Sequence, residues 1–423
     1  MTWEPSNTPG RCPMNRRQVL WTSGAWAACL ATAGCVTAEG GSGIAAERWG
    51  AAQNYPTGWG PPDQPPRWEG YPAYHAGNFS GGFEQMFRHN VIRAGSSPSP
   101  LLTSRSTGRL SANAEAYARA WPITGLLITR DGEVRFEHYN FGRTPEMRLT
   151  SWSMAKSVTS LLFGIALDRE LVRDLDDTAG DYVPSLTGTL HGSIKLRHLL
   201  NMSSGADVDH RRDPVRIDVP AILGRPAARA AGTDVERVVR GWRDKREEAG
   251  IRFNYNELCP LTIGMVIRSV SGGSLARFAQ EHLWQPLGAE GDATWLTDSL
   301  GREYNCVGFA ARLRDWARLG QLIAQNGRVA NRQIVSAGWI EACRTWGEQD
   351  RQVAYGAARS DTGYKNFFWH PSPNGQWLVM NGAHGQRLAV DVNSRTVMVQ
   401  TAVSSEGPWS RDFYALFDLA AWS

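Results

Sequence analysis

A serine and a lysine stand three positions apart, at Ser153 and Lys156, in the run LTSWSMAKSVTSLLFG at residues 149–164. Residues with this spacing are neighbours on an α-helix, which would bring the lysine amine next to the serine hydroxyl. A serine hydroxyl is a poor nucleophile unless an adjacent base or cation helps it to lose its proton. The unpaired N–H groups at a helix N-terminus could then stabilise an oxyanion. The chemistry that this pair could perform is acyl transfer through a covalent serine intermediate.

The tetrapeptide Ser-x-x-Lys also has an ordinary interpretation. Ser153 could cap a helix while Lys156 points into solvent, and a motif with two defined residues is too short to decide. Apolar residues at helical spacing predict a helix with one buried face: Met154, Val158, Leu161, Leu162 and Ile165. Partners elsewhere in the chain must distinguish the two interpretations.

Size and composition set broad limits. A chain of 423 residues can hold two or three domain-sized units or one large composite core. Its 42% apolar and 20% charged residues are typical of a globular protein. A net charge of +4 without a long basic run disfavours nucleic acid as a partner.

The N-terminus has the layout of an export signal. Arg16 and Arg17 precede an uncharged, mildly apolar run at residues 19–34, which indicates the twin-arginine route. The run is short and contains polar residues, which disfavours a permanent membrane span. We therefore expect residues 1–38 to be an export signal and the protein to reach the periplasm or cell envelope. Cys35, in the lipoprotein-like run TAGC, could carry a lipid tether, and the alternative is cleavage near residues 36–38.

Three cysteines lie beyond this N-terminal region, at Cys259, Cys306 and Cys343. An odd number at such wide spacing allows at most one disulfide and gives no metal-ligand pattern. Small buried thiols are the favoured interpretation. The sequence predicts neither a metal ion nor a cofactor.

The order of predicted elements indicates the fold. Residues 39–120 are rich in Gly, Pro and Trp and should wrap the surface without long helices. From Ile123 onward, alternating apolar residues around Asp131-Gly132 predict a β-hairpin.

The remainder of the chain is helical first and then returns to strands. Residues 153–345 are mostly helical in pattern, including a helix within residues 309–324. Three strands and a closing helix follow, at residues 377–380, 387–392, 396–400 and 408–422. The prediction is an α+β fold (an α/β sandwich): an antiparallel sheet from N- and C-terminal segments, flanked by helices. The main domain would cover residues 121–423, with a mostly helical subdomain inserted at about 165–345.

Four further motifs follow Ser-x-x-Lys in order, at residues 175–184, 199–205 (LLNMSSG), 250–257 (GIRFNYNE) and 382–386 (GAHGQ). Together they resemble the serine β-lactamase-related family, which includes class C β-lactamases, family VIII esterases and 6-aminohexanoate-dimer hydrolases. The similarity covers residues 123–402, and residues 312–320 resemble the 6-aminohexanoate-dimer hydrolase branch. The resemblance implies a β-lactamase/transpeptidase-like fold.

The resemblance also implies a role for each matching residue. Ser153 would be the acylated nucleophile, Lys156 its activator and Tyr255 the residue that shuttles the proton. A tyrosine can serve as a base only when a cation such as Lys156 stabilises its charged form. The backbone N–H groups of Ser153 and Gln386 would form the oxyanion hole.

Two departures from the family pattern concern the substrate. Where class C enzymes have Tyr-x-Asn, this chain has Glu257 in third position, with Asn256 before it. Where β-lactamases have Lys-Thr-Gly, it has residues 383–385 (AHG), so the lysine that meets a β-lactam carboxylate is missing, although Arg387 is close in sequence. These differences favour an ester or a linear amide over a β-lactam.

The residues expected to bind substrate are His384, Gly385, Asn256, Glu257 and Trp377. Glu257, with Asp207 or Asp209, could attract a cationic amine of the substrate, and the alternative is pairing with Arg211, Arg212 or Arg252. His384 could contact the acyl group or brace its strand. The tryptophans Trp152, Trp369 and Trp377 could line an apolar pocket or pack in the core.

The leading hypothesis is an exported serine hydrolase that cleaves small esters or linear amides through an acyl-enzyme. A peptidoglycan D,D-peptidase, a β-lactamase and a non-catalytic sensor or binding protein of the same fold remain alternatives. The sequence predicts a small-molecule partner and no nucleic acid, and it does not determine the oligomeric state.

Overall fold

A computed structural model describes residues 88–104, 108–140, 143–209, 213, 234–402 and 409–422. All of them belong to the larger of two units into which the chain divides, Gly41–Ser423. The predicted export signal, including Cys35, and the arginines Arg211 and Arg212 lie outside the described residues.

The described residues form fourteen strands and nine α-helices, numbered here in chain order. The strands are β1 (His89–Ile92), β2 (Leu102–Thr103), β3 (Ile123–Arg130), β4 (Glu133–Tyr139), β5 (Leu149–Thr150), β6 (Ala293–Leu296), β7 (Phe309–Ala311), β8 (Arg328–Val329), β9 (Arg332–Gln333), β10 (Gly363–Lys365), β11 (Phe368–His370), β12 (Trp377–Gly382), β13 (Gln386–Asp391) and β14 (Thr396–Ala402). The helices are α1 (Arg109–Ala120), α2 (Met154–Asp168), α3 (Leu196–Leu200), α4 (Val235–Gly241), α5 (Leu258–Ser271), α6 (Leu275–Ala279), α7 (Leu313–Ala324), α8 (Ala337–Ala342) and α9 (Trp409–Trp422).

The main sheet joins the two ends of the described chain. Its eight strands run in the order β10-β11-β12-β13-β14-β3-β4-β2, and β14 pairs antiparallel with β3 from Thr396↔Arg130 to Ala402↔Ile123. Only the edge pair of β2 with β4 is parallel within this sheet. The predicted α+β fold, with an antiparallel sheet built from distant segments, is confirmed.

The predicted hairpin and the three C-terminal strands are also confirmed. Asp131 and Gly132 connect β3 to β4 with φ angles of 54° and 84°. Positive φ at both central residues matches the right-handed twist of the flanking strands, which explains the Asp-Gly sequence.

One prediction is wrong for the end of the segment 39–120. Residues Arg109–Ala120 form the twelve-residue helix α1, although the segment was expected to lack long helices. The local sequence RLSANAEAYARA contains neither Gly nor Pro, and its buried residues Leu110, Ala114, Tyr117 and Ala118 have helical spacing. The average composition of the whole segment concealed this helix.

A second sheet, of four strands in the order β1-β6-β7-β5, takes two of its strands, β6 and β7, from the region expected to be mostly helical. Residues Phe309–Ala311, expected at the start of a helix, form β7, and the helix α7 begins at Leu313. Short apolar runs do not distinguish a strand from a buried helix, so periodicity alone could not separate β7 from α7.

Helix α2, which follows Ser153, is buried on every side rather than on one face. All residues from Met154 to Ala166 are buried, between strand β12 and helix α5. Gly164 provides room for the indole of Trp339, because a Cβ at position 164 would lie 2.3 Å from the Trp339 Cδ1. A helix that is enclosed in this way gives its first residues a fixed position.

No single helix of the described residues has the length and apolar character needed to cross a bilayer. Only Leu258–Ser271 together with Leu275–Trp284 meets that criterion, and a 74° bend separates the two.

Candidate active site

Ser153 lies at the sharp turn that starts α2. Trp152 takes a left-handed conformation with φ of 46°, and Ser153 is half-buried between fully buried neighbours. The end of β12 packs against this turn, because a Cβ on Gly382 would lie 2.2 Å from the Ser151 carbonyl oxygen. The close approach of two backbones therefore requires glycine at position 382.

The Lys156 ammonium group is held by three acceptors. Its Nζ donates to Ser153 Oγ at 3.0 Å, to Glu257 Oε1 at 3.2 Å and to the Cys306 carbonyl oxygen at 3.1 Å. The side chain is 1% exposed. Lys156 therefore does not point into solvent, and the ordinary interpretation of Ser-x-x-Lys does not describe this pair.

Electrostatics keep this lysine charged. Burial by itself lowers the pKa of Lys156, because desolvation disfavours the charged form. Tyr255 and the Glu257 carboxylate oppose that effect and outweigh it, so the pKa of Lys156 lies above its ordinary value. The surroundings of Lys156 therefore favour its ammonium form.

Tyr255 is anchored by other aromatic rings. Its ring centre lies 4.8 Å from Lys156 Nζ. The rings of Phe253, Tyr364 and Trp369 lie 6.5, 6.0 and 5.4 Å from it, respectively. The structure thus places the predicted serine and tyrosine on either side of the Lys156 ammonium group. Trp369 belongs to the aromatic cluster beside the tyrosine.

Asn256, predicted to bind substrate, has its side chain engaged with the backbone at the start of a helix. The side chain is fully buried. Its Nδ2 donates to the Asn254 carbonyl oxygen at 2.7 Å, and its Oδ1 accepts from the Cys259 N–H at 3.1 Å. Both ends of the amide are used by the backbone around the start of α5, so neither faces a substrate.

Glu257 faces Lys156, which corrects the expectation that it attracts a substrate amine. The other acidic candidates are also engaged: Asp207 pairs with Arg246, and the Asp209 backbone N–H donates to Asp213. The proposed alternative partner Arg252 pairs with Glu247 at 2.9 Å. Among the described residues, the ion-pair partner of Glu257 is the lysine of the motif itself.

The turn between β12 and β13 holds Gln386 through its side chain. Its Nε2 donates to the carbonyl oxygens of Ala383, His384 and Ala402, and its Oε1 accepts from the Ala402 N–H. The Gly385 carbonyl oxygen accepts from Gln400 at 2.9 Å. These bonds fix the backbone of the turn, which is what an oxyanion-hole donor needs.

The backbone N–H of Ser153 has no acceptor among the described residues. Buried or half-buried N–H groups are seldom left without a partner. This group is therefore available to a substrate oxygen.

The two remaining aromatic predictions have different outcomes. The His384 ring packs edge-on against Trp152, with centres 4.9 Å apart, and so lies beside the serine turn. Trp377 packs against Tyr414 and Phe417 of α9, and its Nε1 donates to Asp391 at 3.2 Å. The Trp377 side chain thus contributes to the packing between the sheet and α9, and its role in substrate binding stays a prediction.

Arg387 does not replace the missing lysine either. Its guanidinium donates to Asn381 and Ser410 and lies 4.4 Å from the ring centre of Trp409. The Arg387 side chain thus binds groups of β12 and α9.

Sequence reasoning missed the Cys306 carbonyl as a partner of Lys156. A backbone oxygen 150 residues away leaves no signal in side-chain motifs. Cys259, Cys306 and Cys343 are buried and form no disulfide with one another, as expected, and burial raises the pKa of Cys259 to about 11. The Cys259 thiol is a poor nucleophile for that reason.

Comparison with known proteins identifies the family. The β-lactamase family profile matches residues 110–420. A 6-aminohexanoate-dimer hydrolase from Paenarthrobacter ureafaciens is 25% identical over 316 residues, which are 69% of this chain and 75% of the relative.

Solved structures share the fold. A Bacillus anthracis protein provisionally assigned as a 6-aminohexanoate-dimer hydrolase superposes with a TM-score of 0.71 at 19% identity, over 84% of this chain and 95% of its own. A family VIII carboxylesterase superposes with a TM-score of 0.57 at 13% identity, over 75% of this chain and 99% of its own. With its ordered motifs, its α+β fold and a match over most of its length, this chain belongs to the β-lactamase family.

Proposed function

We propose that this β-lactamase-family hydrolase is exported and cleaves small carboxylic esters or linear amides through an acyl-enzyme on Ser153. The observation that carries the proposal is the 3.0 Å hydrogen bond from Lys156 Nζ to Ser153 Oγ. A serine hydroxyl held against a buried ammonium ion is the arrangement that an activated nucleophile requires.

The proposed reaction has two halves. Ser153 Oγ attacks the carbonyl carbon, its proton passes to the phenolate form of Tyr255, and the N–H groups of Ser153 and Gln386 bind the oxyanion. Collapse of the tetrahedral intermediate expels the alcohol or amine, which takes the proton from Tyr255. Water then attacks the acyl-enzyme in the same way and releases the acid.

Two observations favour esters and linear amides over β-lactams and D-Ala-D-Ala peptides. The strand lacks the lysine that meets a β-lactam carboxylate, and Arg387 is committed to α9. Similarity to a 6-aminohexanoate-dimer hydrolase and to a family VIII carboxylesterase supports the same choice.

Labelling of the intact protein tests the proposal. The protein is incubated with a fluorophosphonate and, separately, with a p-nitrophenyl ester, a linear amide, a β-lactam and a D-Ala-D-Ala peptide, and adducts are measured by mass spectrometry. We expect one adduct on Ser153, absent from Ser153→Ala, and turnover of the ester or linear amide. An unlabelled wild-type protein would indicate a non-catalytic sensor, and preferential turnover of the β-lactam or peptide would favour those alternatives.

Export is tested separately by cell fractionation. We expect the wild-type chain outside the cytoplasm and retention in the cytoplasm when Arg16 and Arg17 are both changed to Lys. Mass spectrometry of the exported form would reveal whether Cys35 carries lipid.

A further inference from the structure

We propose that Glu257 is a positioning residue that holds Lys156 as an ammonium ion aimed at Ser153, so that Tyr255 rather than Lys156 takes the Ser153 proton. The inference rests on the proposed function, since it concerns how the same serine is activated. It gives Glu257 a role in the reaction in place of the substrate-binding role that its sequence position suggested.

The first observation is the set of hydrogen bonds made by the Lys156 ammonium group. An ammonium group has three N–H donors and no lone pair. Its acceptors include Ser153 Oγ, Glu257 Oε1 and the Cys306 carbonyl oxygen, at 3.0, 3.2 and 3.1 Å, and the Tyr255 side chain is a further hydrogen-bond partner. A lysine in this state donates to the serine oxygen and has no site that could accept the serine proton.

The second observation is the burial of both charged side chains. The side chains of Lys156 and Glu257 are 1% and 9% exposed. A buried ammonium without a counterion loses its proton, because desolvation penalises the charged form strongly. Glu257 is the carboxylate within ion-pair distance of Lys156 among the described residues, so it supplies a negative charge that stabilises the ammonium form.

The proton then goes to the remaining polar neighbour. The groups that face Lys156 are Tyr255 and Glu257, from the segment before α5, and Cys306, from the segment before β7. Of these, Tyr255 is the one with a hydroxyl that can exchange a proton and whose charged form the ammonium would stabilise, and its ring centre lies 4.8 Å from Lys156 Nζ. As the bond from Oγ to the acyl carbon forms, the proton passes to the Tyr255 oxygen, and the leaving group later removes it.

A purely structural role is the competing explanation, in which Glu257 only neutralises a buried lysine. The two explanations predict different rates and pH profiles for each folded active site. A structural residue changes how much protein is folded, whereas a positioning residue also changes the rate and the pH profile of every folded site.

The test compares Glu257→Gln, Glu257→Asp and the control Glu247→Gln, which breaks the exposed pair with Arg252 in the same segment. Active sites are counted by fluorophosphonate labelling, and kcat and kcat/KM per labelled site are measured from pH 5 to 10 with a neutral p-nitrophenyl ester. Thermal unfolding of each variant is followed in parallel.

Removal of the negative charge lowers the pKa of Lys156. In Glu257→Gln we therefore expect the basic limb of kcat/KM, where the required ammonium loses its proton, to move to lower pH by about one unit or more. Glu257→Asp keeps the negative charge but places it farther from Lys156. We therefore expect the basic limb within about 0.3 pH unit of wild type and kcat about tenfold lower. Glu247→Gln should match wild type in both respects.

Either variant can overturn the inference alone. A Glu257→Gln limb that coincides with wild type, or a Glu257→Asp kcat per labelled site equal to wild type, would assign Glu257 a structural role. If Glu257→Gln does not fold, the Glu257→Asp rate still decides. Failure of the proposed function has a different signature, because wild-type protein would then not be labelled on Ser153.

Discussion

The Lys156 ammonium lies 4.8 Å from the ring centre of Tyr255, although the two residues belong to separate segments of the fold. Lys156 is placed by α2, and Tyr255 is placed by the aromatic cluster with Phe253, Tyr364 and Trp369. The position of the phenol is therefore set by ring packing, and its reactivity by the lysine. These two contributions can be separated by removing only the hydroxyl.

Tyr255→Phe should reduce kcat by two to four orders of magnitude, about the usual contribution of a general acid–base residue. The midpoint of thermal unfolding should change little, since Phe keeps the aromatic packing. Stopped-flow or steady-state hydrolysis of a p-nitrophenyl ester measures the loss. Phe253→Leu is the comparison, because it perturbs the cluster without touching the hydroxyl, and a Tyr255→Phe enzyme with wild-type kcat would remove Tyr255 from the mechanism.

Gly164→Ala should destabilise the protein by about 1–3 kcal/mol, because the new Cβ would lie 2.3 Å from the Trp339 ring inside the core. The free energy of unfolding is measured by urea denaturation. Gly273→Ala is the matched control, since its Cβ would meet only the flexible Arg277 side chain at 3.8 Å. Equal stabilities of the two variants would show that α2 and α8 can separate without cost.

Stability should fall on acidification partly because of His191. This residue is fully buried, both ring nitrogens are without hydrogen-bond partners among the described residues, and burial lowers the pKa of its imidazole to about 4. The unfolded chain binds a proton near pH 6.5 and the folded chain does not, so stability is present above pH 6.5 and is lost as the pH falls towards 4. The loss amounts to at most about 3 kcal/mol.

Urea denaturation at pH 7 and pH 4.5 measures this contribution. His191→Leu should lose less stability between the two pH values than wild type does. The exposed histidine His89 offers a control, and His89→Leu should keep the wild-type difference. An identical pH dependence in His191→Leu and wild type would mean that His191 gains a proton without unfolding.

Arg387→Gln should lower the free energy of unfolding by about 1–3 kcal/mol and leave kcat/KM unchanged. The guanidinium is 8% exposed and bridges β13 to α9 through Ser410 and the Trp409 ring. Arg395→Gln, which breaks an exposed pair with Asp131, should cost about 0.5 kcal/mol or less. A selective loss of activity on carboxylate-bearing esters in Arg387→Gln would instead return this residue to the substrate site.

Local patterns in the sequence were sufficient for the hairpin at Asp131-Gly132, for the C-terminal strands and for the order of the motifs around Ser153 and Tyr255. Turn residues and alternating apolar residues reflect interactions between near neighbours, which a linear pattern records. Helix α1 was missed because the composition of a long segment was averaged, although its own twelve residues carried the helical spacing.

The contacts of individual polar side chains depended on the tertiary structure. Asn256, Glu257 and Trp377 all have residue types that suit a binding site, yet one caps a helix, one pairs with Lys156 and one packs under α9. The sequence by itself determined which chemical groups were present and the order in which they occur. Which group meets which was decided by the packing of α2 between the sheet and α5, because a buried charge or amide takes whichever partner the fold brings within hydrogen-bond distance.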